Sequence, residues 1–104
     1  MIIITEPGWA QRALGITRNM PLPQATALVH DPSVEVRMRL ATASQSPFIL
    51  HKLMEDADVR VRRCVACNSA MRYNDLYFLE KRDADELVRR FARQERLDKL
   101  VVYE

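Results

Sequence analysis

Cys64 and Cys67 are the residues whose type and spacing most directly suggest chemistry. Two thiols three residues apart on a helix face one way, an arrangement suited to a soft metal or to disulfide exchange. A zinc site needs four ligands, and this pair supplies two. His30 and His51 are the only histidines, and their spacing from the cysteines matches no zinc finger. A redox pair of this kind normally opens a helix after a strand; here it falls near the end of an expected helix with no strand before it. The sequence therefore assigns no metal and no cofactor. Both cysteines read as small filler within reach of reagents, because they project onto the face that carries Arg39 and Thr42 in the preceding segment.

Other catalytic chemistry lacks a framework. Gly8 and Gly15 are the only glycines, which leaves no phosphate-cradling loop and no nucleophile elbow. Serine, histidine and aspartate occur without triad spacing. The carboxylate pairs Asp56/Asp58 and Asp83/Asp85 stand at expected helix starts, where capping accounts for them; a calcium loop needs more oxygen ligands and a glycine turn. The expectation is a protein that is not an enzyme.

Arginine is the other chemically loaded residue. Arg60, Arg62 and Arg63 form one cluster and Arg89, Arg90, Arg93 and Arg96 another, with Arg72-Tyr73 and Lys81-Arg82 between them. Aligned on one surface, Arg39, Arg60, Arg63 and Arg90 would meet the phosphates of a nucleic acid. The net charge is only +2, however, and acidic residues interleave with every cluster, as on a solvated, salt-bridged face. Arg37, Arg62 and Arg89 differ from the rest. They recur in register between two apolar faces, where a charge must be paired or reach solvent along its stem. Asp31, Asp56 and Asp83 recur six positions earlier, an unfavourable spacing for pairing within one helix. Contacts between adjacent units, or with carbonyls at a helix end, are expected instead. Asp31, Arg37, Asp56, Arg62, Asp83 and Arg89 are thus read as a structural ladder.

The elements that must position these residues follow from internal self-similarity. Residues 31–55 laid over 56–80 match at Asp31/Asp56, Val34/Val59, Val36/Val61, Arg37/Arg62, Ala41/Ala66, Ser44/Ser69 and Glu55/Glu80, a period of 25. Leu40/Val65 and Leu53/Phe78 match in kind. Asp31-Pro32 looks like an N-cap followed by a first-turn proline, with Asp56 and Asp83 in the same slot. From Asp31 a helix is expected to about Ser44, apolar over so wide an arc that it must be sandwiched between neighbours. Pro47 or Pro23 then opens a short second helix carrying Leu50 and Leu53, or Leu28. Trp9 to Leu14 reads as a degenerate first helix, with Trp9 in a core or capping position; an extended Met1–Ile4 has little support.

The run Asp-x-x-x-x-Val-Arg-x-x-x-Ala followed by a proline and leucines resembles the leucine-rich repeat variant family and, more broadly, HEAT-like repeats. It is carried by Asp31…Val36-Arg37…Ala41 and Asp56…Val61-Arg62…Ala66. Asp83…Val88-Arg89 is partial, because Arg93 stands in the alanine position. The resemblance implies an all-α fold, a short right-handed α-solenoid of stacked two-helix repeats. Some variant-repeat proteins carry an N-terminal cysteine cluster for an iron–sulfur centre; this chain has no cysteine before Cys64, so that cofactor is not implied. HEAT-like relatives include scaffolds, lyase-like subunits and DNA glycosylases, and none of their catalytic motifs is identifiable.

Length and composition fit this picture. The 104 residues, 48% hydrophobic and 29% charged, suit one small domain and exclude collagen-like or wholly disordered chains. The expected organisation is a single domain over 1–104: a degenerate unit at about 7–30, repeats 31–55 and 56–80, and a partial unit 81–104. No apolar stretch is long enough to span a membrane, no secretory signal is visible, and two cysteines do not make a disulfide scaffold, so a reduced, cytoplasmic setting is expected. A unit too thin to bury its own core stacks on neighbours and exposes a curved surface. The expected function is therefore a non-catalytic binding module for a protein partner, with self-association open. The alternative is nucleic-acid backbone binding through the arginines. The candidate interaction surface comprises Arg39, Arg60, Arg63, Cys64, Cys67, Leu87, Arg90, Phe91 and Gln94; it turns apolar toward the C-terminus. Folding of Leu97–Tyr103 over that apolar end is an equally weighted alternative.

Overall fold

The computed structural model describes residues 8–100. Among these the protein is all-helical: seven helices and no strand. They are α1 (Trp9–Leu14), α2 (Leu22–Leu28), α3 (Val34–Ala43), α4 (Pro47–Leu53), α5 (Val59–Ala66), α6 (Tyr73–Arg82) and α7 (Glu86–Leu100). Met1–Ile4 and the tail from residue 101 lie outside the described residues.

Local chemistry sets the helix starts, in a register different from the one expected. Ser33 Oγ accepts from Val36 N and Ser46 Oγ from Ile49 N, and Asp58 caps α5 by accepting from Arg60 N. Asp85 Oδ2 likewise accepts from Val88 N. The caps are thus Ser33, Asp58 and Asp85, not Asp31, Asp56 and Asp83. The latter three sit two residues upstream and accept the N–H of Ser33, Asp58 and Asp85 at 2.8–2.9 Å. An aspartate bonding its own backbone two residues on forms a turn that competes with helix, so each helix starts after that turn. Proline does open α4, as its fixed φ and missing N–H allow.

The core is aliphatic. Val36, Leu40 and Ala41 of α3, Ile49, Leu50 and Leu53 of α4, Val61, Val65 and Ala66 of α5, Leu76 and Leu79 of α6, and Val88 and Ala92 of α7 form one buried cluster, against which Trp9 and Phe91 pack partly buried. Full burial of a side chain such as Leu50 contributes about 1.5–3 kcal/mol. α1 packs on α3, α3 on α5 and α5 on α7, while α2 and α4 pack on α3, α4 on α5, and α6 on α7. The molecule measures 54 × 29 × 19 Å. No helix among the described residues is long and apolar enough to cross a membrane.

Two further expectations are corrected. Phe78 does not share the environment of Leu53: Leu53 is buried, Phe78 is 45% exposed, and the buried positions of α6 are Leu76 and Leu79. The chain between α5 and α6 is one residue longer than a 25-residue spacing allows, and on a helix one residue turns a side chain by ~100°. Residues 97–100 do not fold back over Leu87 and Phe91 either. They continue α7, an unbroken helix from Glu86 to Leu100 with no glycine or proline to stop it.

Candidate interaction surfaces

The aspartates that form the turns before α3, α5 and α7 also anchor arginines from the preceding segment. Arg37 Nε and Nη2 donate to Asp56 at 2.8 and 3.3 Å, while Nη1 donates back to the Asp31 carbonyl at 2.7 Å. Arg62 repeats this with Asp83 at 2.9 and 3.4 Å and the Asp56 carbonyl at 2.9 Å. Each guanidinium thus closes its own turn and holds the next one. The six-residue separation that forbids side-chain pairing along a helix permits this bond to a backbone carbonyl.

The column starts one rung earlier than the Val-Arg motif indicates. Arg12 Nε and Nη2 grip Asp31 at 2.7 and 3.0 Å, and this holds the Asp31 carboxyl below the usual carboxylate range. Arg12 precedes Arg37 by the same 25 positions that separate Arg37 from Arg62. That signal was obscured because Trp9-Ala10-Gln11 replaces the valine pattern. Arg89 donates through Nη1 to the Asp83 and Ala84 carbonyls and has no carboxylate partner among the described residues.

The arginines expected to face phosphates are divided. Arg60 folds back onto its own helix cap Asp58 through Nε at 3.1 Å and Nη2 at 2.9 Å. Arg63 grips Asp85 at 3.0 Å through both Nε and Nη2 and ties α5 to the start of α7. These pairs, with added backbone N–H bonds, lower the Asp58 and Asp85 pKa values to about 2. Arg39 and Arg90 are exposed and have no carboxylate partner among the described residues.

Cys64, Cys67, Arg63 and Phe91 are brought together. With Thr42 and Asn68 they line an open groove of about 290 Å³ between α3, α5 and α7. Arg39 belongs to an adjoining cleft with Arg18, Thr42, Cys67 and Asn68. Asn68 fixes the boundary: its Nδ2 donates to the Ala41 and Ser44 carbonyls at 2.9 and 2.8 Å, and its Oδ1 accepts from Ala70 N. Cys64 is half-buried and Cys67 exposed, and both are free thiols. Burial, with Glu95 and Cys64 close by, pushes the Cys67 thiol up, so the thiolate that would act as a nucleophile is disfavoured. Leu87, Arg90 and Gln94 lie along α7 outside this groove, and Gln94 is engaged with Asp98 at 2.9 Å.

A second surface was missed by sequence reasoning. Phe48 of α4 and Tyr73, Tyr77 and Phe78 of α6 are 39–49% exposed. Cations lie over three of these rings: Lys52 over Phe48 at 4.7 Å, Lys81 over Tyr77 at 5.4 Å, and Arg96 at 5.6 Å from both Tyr73 and Tyr77. Arg96 is fixed by Glu80 at 2.5 Å and by the Tyr73 hydroxyl at 3.0 Å. His51 and Asp75, 3.0 Å apart, link α4 to α6. The available signal was the i, i+4 spacing of Tyr73 and Tyr77, which together with Phe78 puts more aromatic surface on α6 than one buried face accommodates.

No family model, curated protein or solved structure matches this chain at a significant level.

Proposed function

We propose that this chain is a non-catalytic helical-repeat binding module of the variant-repeat or HEAT-like type, working in the reducing cytoplasm and docking a protein partner. The solenoid reading is supported by the successive packing of α1, α3, α5 and α7, by the recurring Arg-to-Asp bridge, and by the elongated outline. Where Ala41 and Ala66 are buried against a neighbour, α7 carries Arg93, exposed and 3.8 Å from Glu80, as suits the polar outer face of a terminal unit.

The observation that carries the docking proposal is the α4–α6 face. An aromatic side chain buries ~150–250 Å² when covered. Four left 39–49% exposed forgo part of that stabilisation unless a partner supplies it. Aromatic residues and arginine are the types enriched at the centres of protein interfaces. Three of the rings, Phe48, Tyr73 and Tyr77, are already capped by Lys52, Lys81 and Arg96, which keeps the ordering cost of binding low.

The nucleic-acid alternative rests on Arg39 and Arg90. It is weakened by Arg60 and Arg63, whose donors are engaged by aspartates and would have to be released before meeting phosphate.

A photo-crosslinking side chain placed at Tyr77, and at Glu35 as control, tests the proposal. Discrete protein adducts at position 77 and none at 35 are expected, with adducts lost when Phe48 and Phe78 are changed to serine. Retention on single-stranded DNA at low salt that falls steeply by moderate salt, with no protein adduct, would favour the alternative.

A further inference from the structure

The Cys64–Cys67 pair is absorbed neither by the ladder nor by the aromatic face. Cys67 N donates to the Cys64 carbonyl at 3.2 Å, an i→i+3 bond that tightens the end of α5. In such a turn side chains three apart nearly eclipse, so both sulfurs leave the helix on one side. Both line the open groove beside Phe91 and Arg63. Zinc–sulfur bonds of ~2.3 Å set at tetrahedral angles place two bound sulfurs about 3.8 Å apart, within reach of side chains whose Cβ atoms are ~5–6 Å apart. The pair is thus half of a closed four-thiolate set. No group of three or more His, Cys, Asp or Glu able to hold a metal occurs among the described residues, which leaves the pair without further ligands there.

We propose that Cys64 and Cys67 of two copies of this chain together bind one zinc ion, forming a symmetric zinc-bridged dimer across the α5 groove. A two-fold axis through the ion brings the same two thiols from each copy, as an isologous contact requires. Each thiol gives up its proton to solvent on binding, and the metal's oxidation state does not change. Four thiolates leave the centre with a net charge of −2. Arg63 lines the same groove with its guanidinium held by Asp85. Phe91 supplies an apolar wall that limits water around the ion.

The test uses the full chain purified without chelator. Cobalt(II) is the spectroscopic probe and zinc the functional one. Three results are expected: one ion per two chains, the visible bands of tetrahedral cobalt with thiolate charge transfer, and a light-scattering mass that doubles with zinc and halves again with chelator. Cys67→Ser, at an exposed position, should keep the melting curve and stay at the mass of one chain at every zinc concentration. One ion per chain on a monomer, doubling that survives chelation, or no uptake would each overturn the proposal.

Discussion

A guanidinium presents five donors in a rigid fork, and the ladder arginines use that fork in two directions at once. Arg62 shows what this means for stability. Its side chain is 17% exposed and that of its partner Asp83 only 5%, whereas the Arg60–Asp58 pair is 54% and 24% exposed. Exposed ion pairs contribute about 0–1 kcal/mol, but removing one member of a buried pair leaves a desolvated charge behind and costs about 3–5 kcal/mol. Arg62→Ala should therefore lower stability by about 2–4 kcal/mol, between those limits because Arg62 keeps some contact with water. Melting should fall by roughly 8–30 °C, at ~4–8 °C per kcal/mol for a domain of this size. Arg60→Ala should shift melting by no more than a few degrees. Arg62→Lys should resemble Arg62→Ala more than wild type, since a single ammonium cannot reproduce the two-directional fork. Equal melting temperatures for the Arg60 and Arg62 variants in parallel calorimetry would refute the ladder's structural role.

At the scale of elements, α3 and α5 were legible because their valines, leucine and alanines keep a helical period, though not at their starts. Other features depend on contacts that no single segment encodes. The helix caps lie two residues later than the Asp-Pro pattern implies, because whether Asp31 caps a helix or closes a turn is decided by Arg12 and Arg37 arriving from either side. The exposed face of α6 was hidden by a one-residue change of spacing that turns Phe78 out. Of the candidate surface, the structure gathers Arg63, Cys64, Cys67 and Phe91 in one groove and places Arg39 in the next. Leu87, Arg90 and Gln94 share only α7 with Phe91, since projection onto one helix does not locate the neighbouring walls. Asn68 had no motif at all, yet it ties the loop after α5 to the last carbonyls of α3. Its strap to α3 is made by its donor Nδ2, while Oδ1 accepts from Ala70 N, a bond that aspartate keeps. Asn68→Asp, nearly the same in shape, should destabilise about as much as Asn68→Ala, by roughly 1–3 kcal/mol, because either change strands carbonyls that α3 cannot satisfy itself. Urea melts of the two variants decide this; an Asn68→Asp protein as stable as wild type would show that the strap is incidental.

Over the whole molecule, the ties between successive segments share one chemistry. Arg12–Asp31, Arg37–Asp56, Arg62–Asp83 and Arg63–Asp85 join the start, middle and end of the fold, and each ends in a carboxylate. Acid loosens the two whose carboxyls are held low, Arg12–Asp31 and Arg63–Asp85. Asp58 and Asp85 titrate at about 2 in the folded protein, and the arginines beside Asp31 and Glu80 hold those carboxyls below their ordinary range. In the unfolded chain carboxyls titrate at ~3.9–4.3. Between those values the unfolded state binds more protons than the folded one, so stability rises with pH there. The contribution is fully present above about pH 5 and is lost as pH falls through about 4 toward 2. Melting temperature should accordingly be level from about pH 5 to 7 and drop steeply below about 4, in one transition because all segments share a single core. Asp85→Asn should start from a lower plateau and fall less steeply, having one fewer depressed carboxylate to protonate. The slope is the discriminating quantity: a merely weakened fold would lower the plateau and keep the wild-type slope. A melting temperature unchanged between about pH 5 and 2 would mean that the carboxylates do not hold the segments together.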